Sequence, residues 1–196
     1  MRANSESEKL VLRLWFLTHR TRDVLMTCED QVFGEYGLTS EQYSVLVTLK
    51  YLQEPVRVTD LARWLERSTN SVSMIVDRMV KAGLLTRKRD RGDRRVVNVS
   101  IASKGENALK PATRAGWNFI QEVLSPLSEE DMRAFVKLHE TVKYRSLQYL
   151  NPRLDIEEMR RNEIANQPDV VKRLAQYIST STPQAKRQGG RKRKTL

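Results

Sequence analysis

Between residues 70 and 101 the hydrophobic period of the chain changes, and this change limits the possible folds more than any other feature. From Asn70 to Ala82 the apolar residues Val72, Ile75, Val76, Met79 and Val80 recur at helical spacing, as one stripe of an amphipathic helix. Gly83 stands where a left-handed residue would end that helix. The period then becomes two. Leu84 to Arg89 and Arg95 to Ile101 read as strands, with Val97, Val99 and Ile101 on one face and Val96, Asn98 and Ser100 on the other. The turn between them runs from Asp90 to Asp93, and Gly92 within it can take positive φ. A helix with one apolar stripe, followed at once by a hairpin, needs further elements to pack on.

The flanking sequence supplies them. Upstream, Leu10, Leu14, Leu17, Leu25, Val32 and Phe33 predict a long helix from about Ser5 to Phe33, closed by Gly34 and Gly37. Its apolar face exceeds what one chain of this size needs, which suggests a partner helix from a second subunit. Thr39 and Gln42 fit a capping box for a helix carrying Val45, Leu46, Leu49 and Leu52. Thr59 and Asp60 are expected to open a short helix with Leu61, Ala62 and Leu65. A break at residues 67–69 then leads into the Asn70 helix. Downstream, Ser103 and Glu106 form another capping pattern, and Pro111 predicts a kink or break in the helix that follows. Ser128 opens a further helix lined by Met132, Phe135, Leu138, Val142 and Leu147, ending at Asn151 and Pro152. Two short helices are expected over 153–180, and composition predicts disorder from Ser179 onward.

Charge is concentrated rather than spread. The chain has 196 residues and a formal net charge of +11; residues 87–95 carry +4 and residues 182–196 carry +6. A nearly neutral body with two basic devices points to a polyanionic partner. For the tail, a merely solvated charge run and a binding role are both open. The one cysteine, Cys28, excludes an intramolecular disulfide. No apolar run approaches the roughly 20 residues of a membrane helix, and the polar N-terminus does not resemble a secretory signal. A cytoplasmic protein with no membrane partner is therefore expected. No nucleophile–base pair, phosphate-binding glycine loop or metal motif is present. Enzymatic activity and a cofactor are accordingly not expected.

Helix, turn, helix and basic hairpin together suggest a DNA reader. Ser68, Thr69, Asn70, Ser71, Ser73, Met74 and Arg78 lie at or near the start of the amphipathic helix or on its polar side. The N-terminal part of such a helix approaches base edges in the major groove, where Asn suits adenine and Arg suits guanine. Arg91, Arg94 and Arg95 form a hairpin tip suited to the minor groove. Asp93 either pairs with a neighbouring arginine or caps the turn; the plainer alternative is a turn-forming aspartate on a solvated loop.

Residues 68–87 and 93–105 resemble the recognition helix and the wing-to-helix segment of the MarR family of bacterial regulators. The resemblance extends over roughly residues 8–150. It implies a mainly α fold with a small β-hairpin wing, a winged helix-turn-helix with long N- and C-terminal dimerisation helices. The implied organisation is a domain over 1–150, with a DNA-binding lobe at 38–102 and dimerisation helices at 5–33 and 103–150. A C-terminal extension at 151–180 and a basic tail at 181–196 are longer than the family pattern. The resemblance also implies a homodimer on double-stranded DNA, usually a repressor on a palindromic operator, released by a small organic effector or an oxidant. The family's Asp-x-Arg wing pattern falls on Asp93 and Arg95, so Asp93 would orient the wing and Arg95 would enter the minor groove. Where the family commonly has Leu-Thr before the fifth helix, this chain has Ile101 and Ala102, which moves the expected cap to Ser103.

Other residues admit two readings. Cys28 could sense oxidants, but acidic Glu29 and Asp30 beside it disfavour a thiolate, and a lone helical cysteine is more often a small buried residue. Trp15 and His19, one helical turn apart, are the candidates for an effector pocket wall. Trp15, Tyr43 and Trp64 could equally be core aromatics, and His19 and His139 surface or interface residues. The alternative functional reading is a winged-helix module for RNA or protein contacts, anchored by the basic tail and without an effector.

Overall fold

The computed structural model describes residues 5–90, 92 and 96–161, with residues 165, 172 and 175 singly. The fold is mainly helical, with a small antiparallel wing. The order is α1 (Glu6–Gly34), α2 (Ser40–Leu52), β1 (Val56–Arg57), α3 (Val58–Trp64), α4 (Thr69–Lys81), β2 (Leu85–Arg89), β3 (Val97–Ile101), α5 (Ser103–Leu124) and α6 (Glu129–Leu150).

Local capping sets where several helices begin. Ser5 and Glu8 form a capping box on α1, and Thr39 and Gln42 form one on α2. The start of α2 is tied to α1 as well, because the Ser40 N–H donates to Asp30 Oδ1 at 2.7 Å. Ser128 and Asp131 form the box that opens α6. Gly37 and Gly83 both have positive φ, and the Leu84 N–H beyond Gly83 returns to the Met79 carbonyl at 2.9 Å.

Three helix starts differ from the sequence expectation. Helix α3 begins at Val58, with Arg57 rather than Thr59 at its N-cap and no side-chain cap bond. The reason is β1: pairing with β3 holds Arg57 extended, so the chain turns directly into helix. Helix α4 begins at Thr69, one residue early, because Ser68 Oγ accepts the Ser71 N–H. Helix α5 has Ala102, not Ser103, at its N-cap. Here the Ala102 N–H donates to the Leu84 carbonyl at 3.0 Å, which holds Ala102 extended. Gly105 makes this approach possible, since a Cβ there would lie 2.2 Å from that same Leu84 oxygen. Pro111 does not break α5. Asn107, four residues earlier and exposed, can give its freed carbonyl to water.

The wing contains a strand that the periodicity does not reveal. The sheet order is β1-β3-β2, all antiparallel, with Val56 opposite Val99 and Arg57 opposite Asn98. On the other side, Leu85 pairs with Ile101 and Arg89 with Val97. The central strand therefore brings Val99 into the core. Leu46 and Leu49 of α2, Leu61 of α3, Val72, Val76 and Met79 of α4, and Leu109 of α5 belong to the same buried core. One apolar centre thus anchors both α4 and the wing.

The long helices are different. In α1 only Phe33 is buried, and in α6 only Tyr144. Leu10, Leu14 and Leu17 of α1, and Phe135, Leu138 and Val142 of α6, are exposed. After α6, residues 156–161 form a short helical segment on which Ile156 and Met159 are half-buried. Ile164 and the second helix expected before residue 180 lie outside the described residues, as does the 182–196 tail. Among the described residues, no helix is long and apolar enough to cross a membrane.

Candidate nucleic-acid interface

The interface is built around α4. Val72, Ile75, Val76 and Met79 are buried and fasten the helix to the lobe. The opposite side carries Asn70, Ser71, Met74, Asp77, Arg78 and Lys81, all exposed. Met74 is 67% exposed, a large apolar side chain with no packing role in this chain. Ser68 and Thr69 lie exposed at the helix start. Ser68 has structural work as well, since its hydroxyl caps the helix and lies 2.9 Å from Ser71 Oγ. Ser73 sits at the border of the apolar stripe and is half-buried, so the outward face is narrower than the sequence implies. Because the N-terminus of α4 is exposed, the positive end of its dipole is available to an anion.

Two ion-pair groups orient the cations around this face. The Glu41 carboxylate of α2 contacts the guanidinium of Arg67 and lies 3.5 Å from that of Arg78. Asp77 of α4 contacts Arg87 of β2 and ties the helix to the wing. Lys104 Nζ donates to the Ala82 carbonyl at 2.8 Å and closes the end of α4. Sequence reasoning does not single out Glu41 or Arg67. Glu41 and Arg78 are 37 residues apart, and no local pattern marks such a pair.

Arg87, Lys88 and Arg89 are exposed along β2. At the wing turn the Gly92 N–H donates to Asp90 Oδ1 at 2.8 Å, and the Asp90 N–H donates to the Val96 carbonyl at 2.9 Å. Asp90 therefore shapes the described part of the turn through an Asx bond. Arg91, Asp93, Arg94 and Arg95 lie outside the described residues.

Trp15 and His19 meet edge to face, with centroids 4.7 Å apart, and Trp15 is 61% exposed on α1. The other aromatics fall in two places. Tyr43 stacks on Phe33 at 3.9 Å, and its hydroxyl donates to Thr113 Oγ1 at 3.4 Å. Burial raises the Tyr43 pKa. Trp64 stacks on Tyr51 at 3.8 Å. On α1, Cys28 is half-buried. The neighbouring Glu29 carboxyl is pushed up by burial and by the charge of Asp30. Asp30 itself is held below the usual carboxylate range by the Ser40 N–H. Among the described residues, no group of three or more His, Cys, Asp or Glu side chains could hold a metal ion.

Comparison with known proteins gives the same layout. Residues 38–97 match the model of the MarR family. Over 104 residues, 52% of this chain, the sequence is 28% identical to the HTH-type transcriptional regulator PecS of Dickeya dadantii; the match spans 63% of PecS. A mutant of MarR from E. coli complexed with operator DNA has a similar fold, with a TM-score of 0.64 and 19% identity. That match covers 70% of this chain and 99% of the MarR chain. The organohalide-sensing regulator RdhR, in its 2,4-dichlorophenol-bound form, aligns with a TM-score of 0.68 and 20% identity, covering 76% of this chain and 89% of RdhR.

Proposed function

This chain belongs to the MarR family of winged helix-turn-helix transcription regulators, and from that premise we propose that it acts as a homodimeric repressor on a palindromic operator. The observation that carries this reading is α4: its apolar stripe is buried while Asn70, Ser71, Met74 and Arg78 face outward beside a basic wing. Each subunit inserts α4 into the major groove, reading bases with Asn70, Ser71 and Arg78. Ser68, Thr69 and Ser73 flank this contact, and Met74 offers an apolar surface to a thymine methyl. The wing arginines Arg91, Arg94 and Arg95 enter the minor groove, and Asp93 orients them. Residues 38–102 form the DNA-binding lobe, and 5–33 and 103–150 form the dimerisation helices. Their exposed apolar residues, among them Leu14 and Phe135, support that assignment.

A small organic effector releases the DNA. RdhR, an organohalide-sensing regulator of the same fold seen with 2,4-dichlorophenol bound, supports a small organic ligand for this chain. Trp15 and His19 form part of the effector wall once a second subunit covers α1.

A gel shift tests the regulator reading, comparing DNA from upstream of the chain's own coding sequence with random duplex at physiological salt. A clear preference for one upstream sequence is expected, with protection of two half-sites about one helical turn apart. Equal affinity for both DNAs overturns the reading. Arg95→Ala is expected to cost roughly 1–3 kcal/mol in operator binding, and an unchanged affinity removes Arg95 from the interface.

A further inference from the structure

The chain beyond α6 turns back onto the winged-helix lobe. The Arg153 N–H donates to Asn151 Oδ1 at 3.2 Å, and the Glu158 N–H donates to Asp155 Oδ1 at 2.9 Å. These two turns bring Leu154 and Met159 to the end of α2, β1 and α3, where they help line a cavity of about 830 Å³. Sites for small organic ligands commonly occupy about 300–1,000 Å³. The match to the family model ends at residue 97, so this wall comes from outside it.

The lobe contributes an aromatic pair. The Tyr51 and Trp64 rings lie 3.8 Å apart at an interplanar angle of 31°. Trp64 is 41% exposed, which leaves part of the indole surface uncovered at the cavity. The other walls are unevenly charged. Among the described residues, the carboxylates of Asp60 and Glu66 come from the lobe, and those of Asp155 and Glu158 from the extension. Among the described residues they outnumber Arg57 and Arg63, and Arg63 already lies 3.5 Å from Asp60. An acidic, aromatic cavity is unusual on a chain whose net charge is +11.

We propose that this cavity binds a flat aromatic organic cation. The Tyr51–Trp64 pair offers a cation–π surface, Leu154 and Met159 add apolar cover, and the acidic excess sets the sign of charge admitted. An anion of the same shape meets the same walls with the opposite sign. The site also adjoins the DNA-reading parts: Asp90 shapes the wing turn, Asn98 lies on β3, and Asp60 and Trp64 lie on the helix that leads into α4. Coupling to DNA rests on the regulator reading above; cation binding does not. The place differs from the Trp15–His19 wall, so it is a separate input to the same molecule.

The test is isothermal titration calorimetry of the full chain without DNA, at mildly alkaline pH. The probes are N-methylquinolinium, neutral quinoline and anionic quinaldate, which share one ring system. Saturable binding of N-methylquinolinium is expected, at least tenfold tighter than quinoline and tighter still than quinaldate. Trp64→Ala and Glu158→Lys should each weaken it at least fivefold. Glu158 is exposed, so its lysine variant preserves the core and keeps the test valid if Trp64→Ala fails to fold. No saturable binding, equal binding of quinaldate, or indifference to Glu158→Lys overturns the site. A gel shift then checks coupling. Saturating N-methylquinolinium should weaken operator binding at least fivefold, and no effect overturns the coupling. A chain that prefers no operator refutes the regulator reading while the calorimetry still stands.

Discussion

At the scale of single residues, the candidate interface includes side chains placed to orient its cations. Glu41 lies between Arg67 and Arg78 and limits the directions in which Arg78 can point. Such a partly exposed pair adds little to stability, about 0–1 kcal/mol. Its value is orientation. Glu41→Gln should therefore leave the melting temperature almost unchanged while lowering the ratio of operator to random-duplex affinity about threefold to tenfold, since a good base contact is worth about 1–3 kcal/mol of discrimination. A rise in both affinities by the same factor would mean that only the added positive charge mattered. Asp30 makes a second residue-scale prediction. Its folded pKa is depressed, first by the Ser40 backbone N–H and then by the Ser40 side chain. The contact therefore stabilises the fold above the unfolded aspartate value of about 3.9. It is lost as pH falls through the lower folded value. Asp30→Asn should narrow the difference in melting temperature between neutral and acid solution, and thermal denaturation across pH checks this. Glu29 acts in the opposite sense: burial and the charge of Asp30 raise its folded pKa, so its ionisation costs stability as pH rises above the unfolded glutamate value.

At the scale of elements, Ser68 separates structure from recognition. Its hydroxyl caps α4 through the Ser71 N–H. Ser68→Ala should cost about 1 kcal/mol of stability, visible in urea denaturation. Ser68→Asp keeps a cap but sets a negative charge at the exposed helix start, where the dipole would favour a DNA phosphate. That variant should be as stable as the original yet bind operator at least tenfold more weakly; retained binding would move the phosphate contact away from the start of α4. Gly105→Ala probes the junction of wing and α5. Its Cβ would meet the Leu84 carbonyl oxygen, which cannot move aside as a side chain can. Overpacking of this kind costs about 3 kcal/mol, and the same denaturation measures it.

These elements also mark what the sequence could reveal. The stripe Val72, Ile75, Val76 and Met79 is legible because burial imposes a period on neighbouring residues. The Thr39 and Ser128 caps are legible because their partners are three residues away. Strand β1 is not, because two residues carry no period and exist as a strand only through Val99 and Asn98. The same long-range pairing moved the cap of α3 from Thr59 to Arg57. Leu84 likewise moved the cap of α5 from Ser103 to Ala102. In the candidate interface, Asn70 and Arg78 follow from helical geometry, whereas the Glu41 tether and the Asp77–Arg87 link depend on tertiary contact. The wall contributed by Leu154 and Met159 is hidden for the same reason.

At the scale of the whole molecule, α1 and α6 leave many large apolar residues exposed on one chain. Leu14 and Phe135 are 62% and 48% exposed. In the proposed homodimer they are covered, at a gain of about 25 cal/mol for each Å² buried. The double variant Leu14→Glu/Phe135→Glu should sediment as a monomer and lose at least a hundredfold in operator affinity, because one half-site then binds without the other. A wild-type chain that sediments as a monomer would remove the palindromic-operator proposal. The second basic device acts differently. The 182–196 tail carries six cations and no anions. Each phosphate contact it makes adds about −0.9 to the slope of log affinity against log salt. Deleting residues 182–196 should make that slope shallower and weaken binding to operator and random duplex by the same factor, leaving their ratio intact. Nonspecific attraction and base reading would then reside in separate parts of the chain. If the ratio collapses with the tail, base reading does not lie in α4 and the wing, and the winged helix serves as an interaction module with a basic anchor. Titrations of both DNAs across a salt series, with and without the tail, decide between these outcomes.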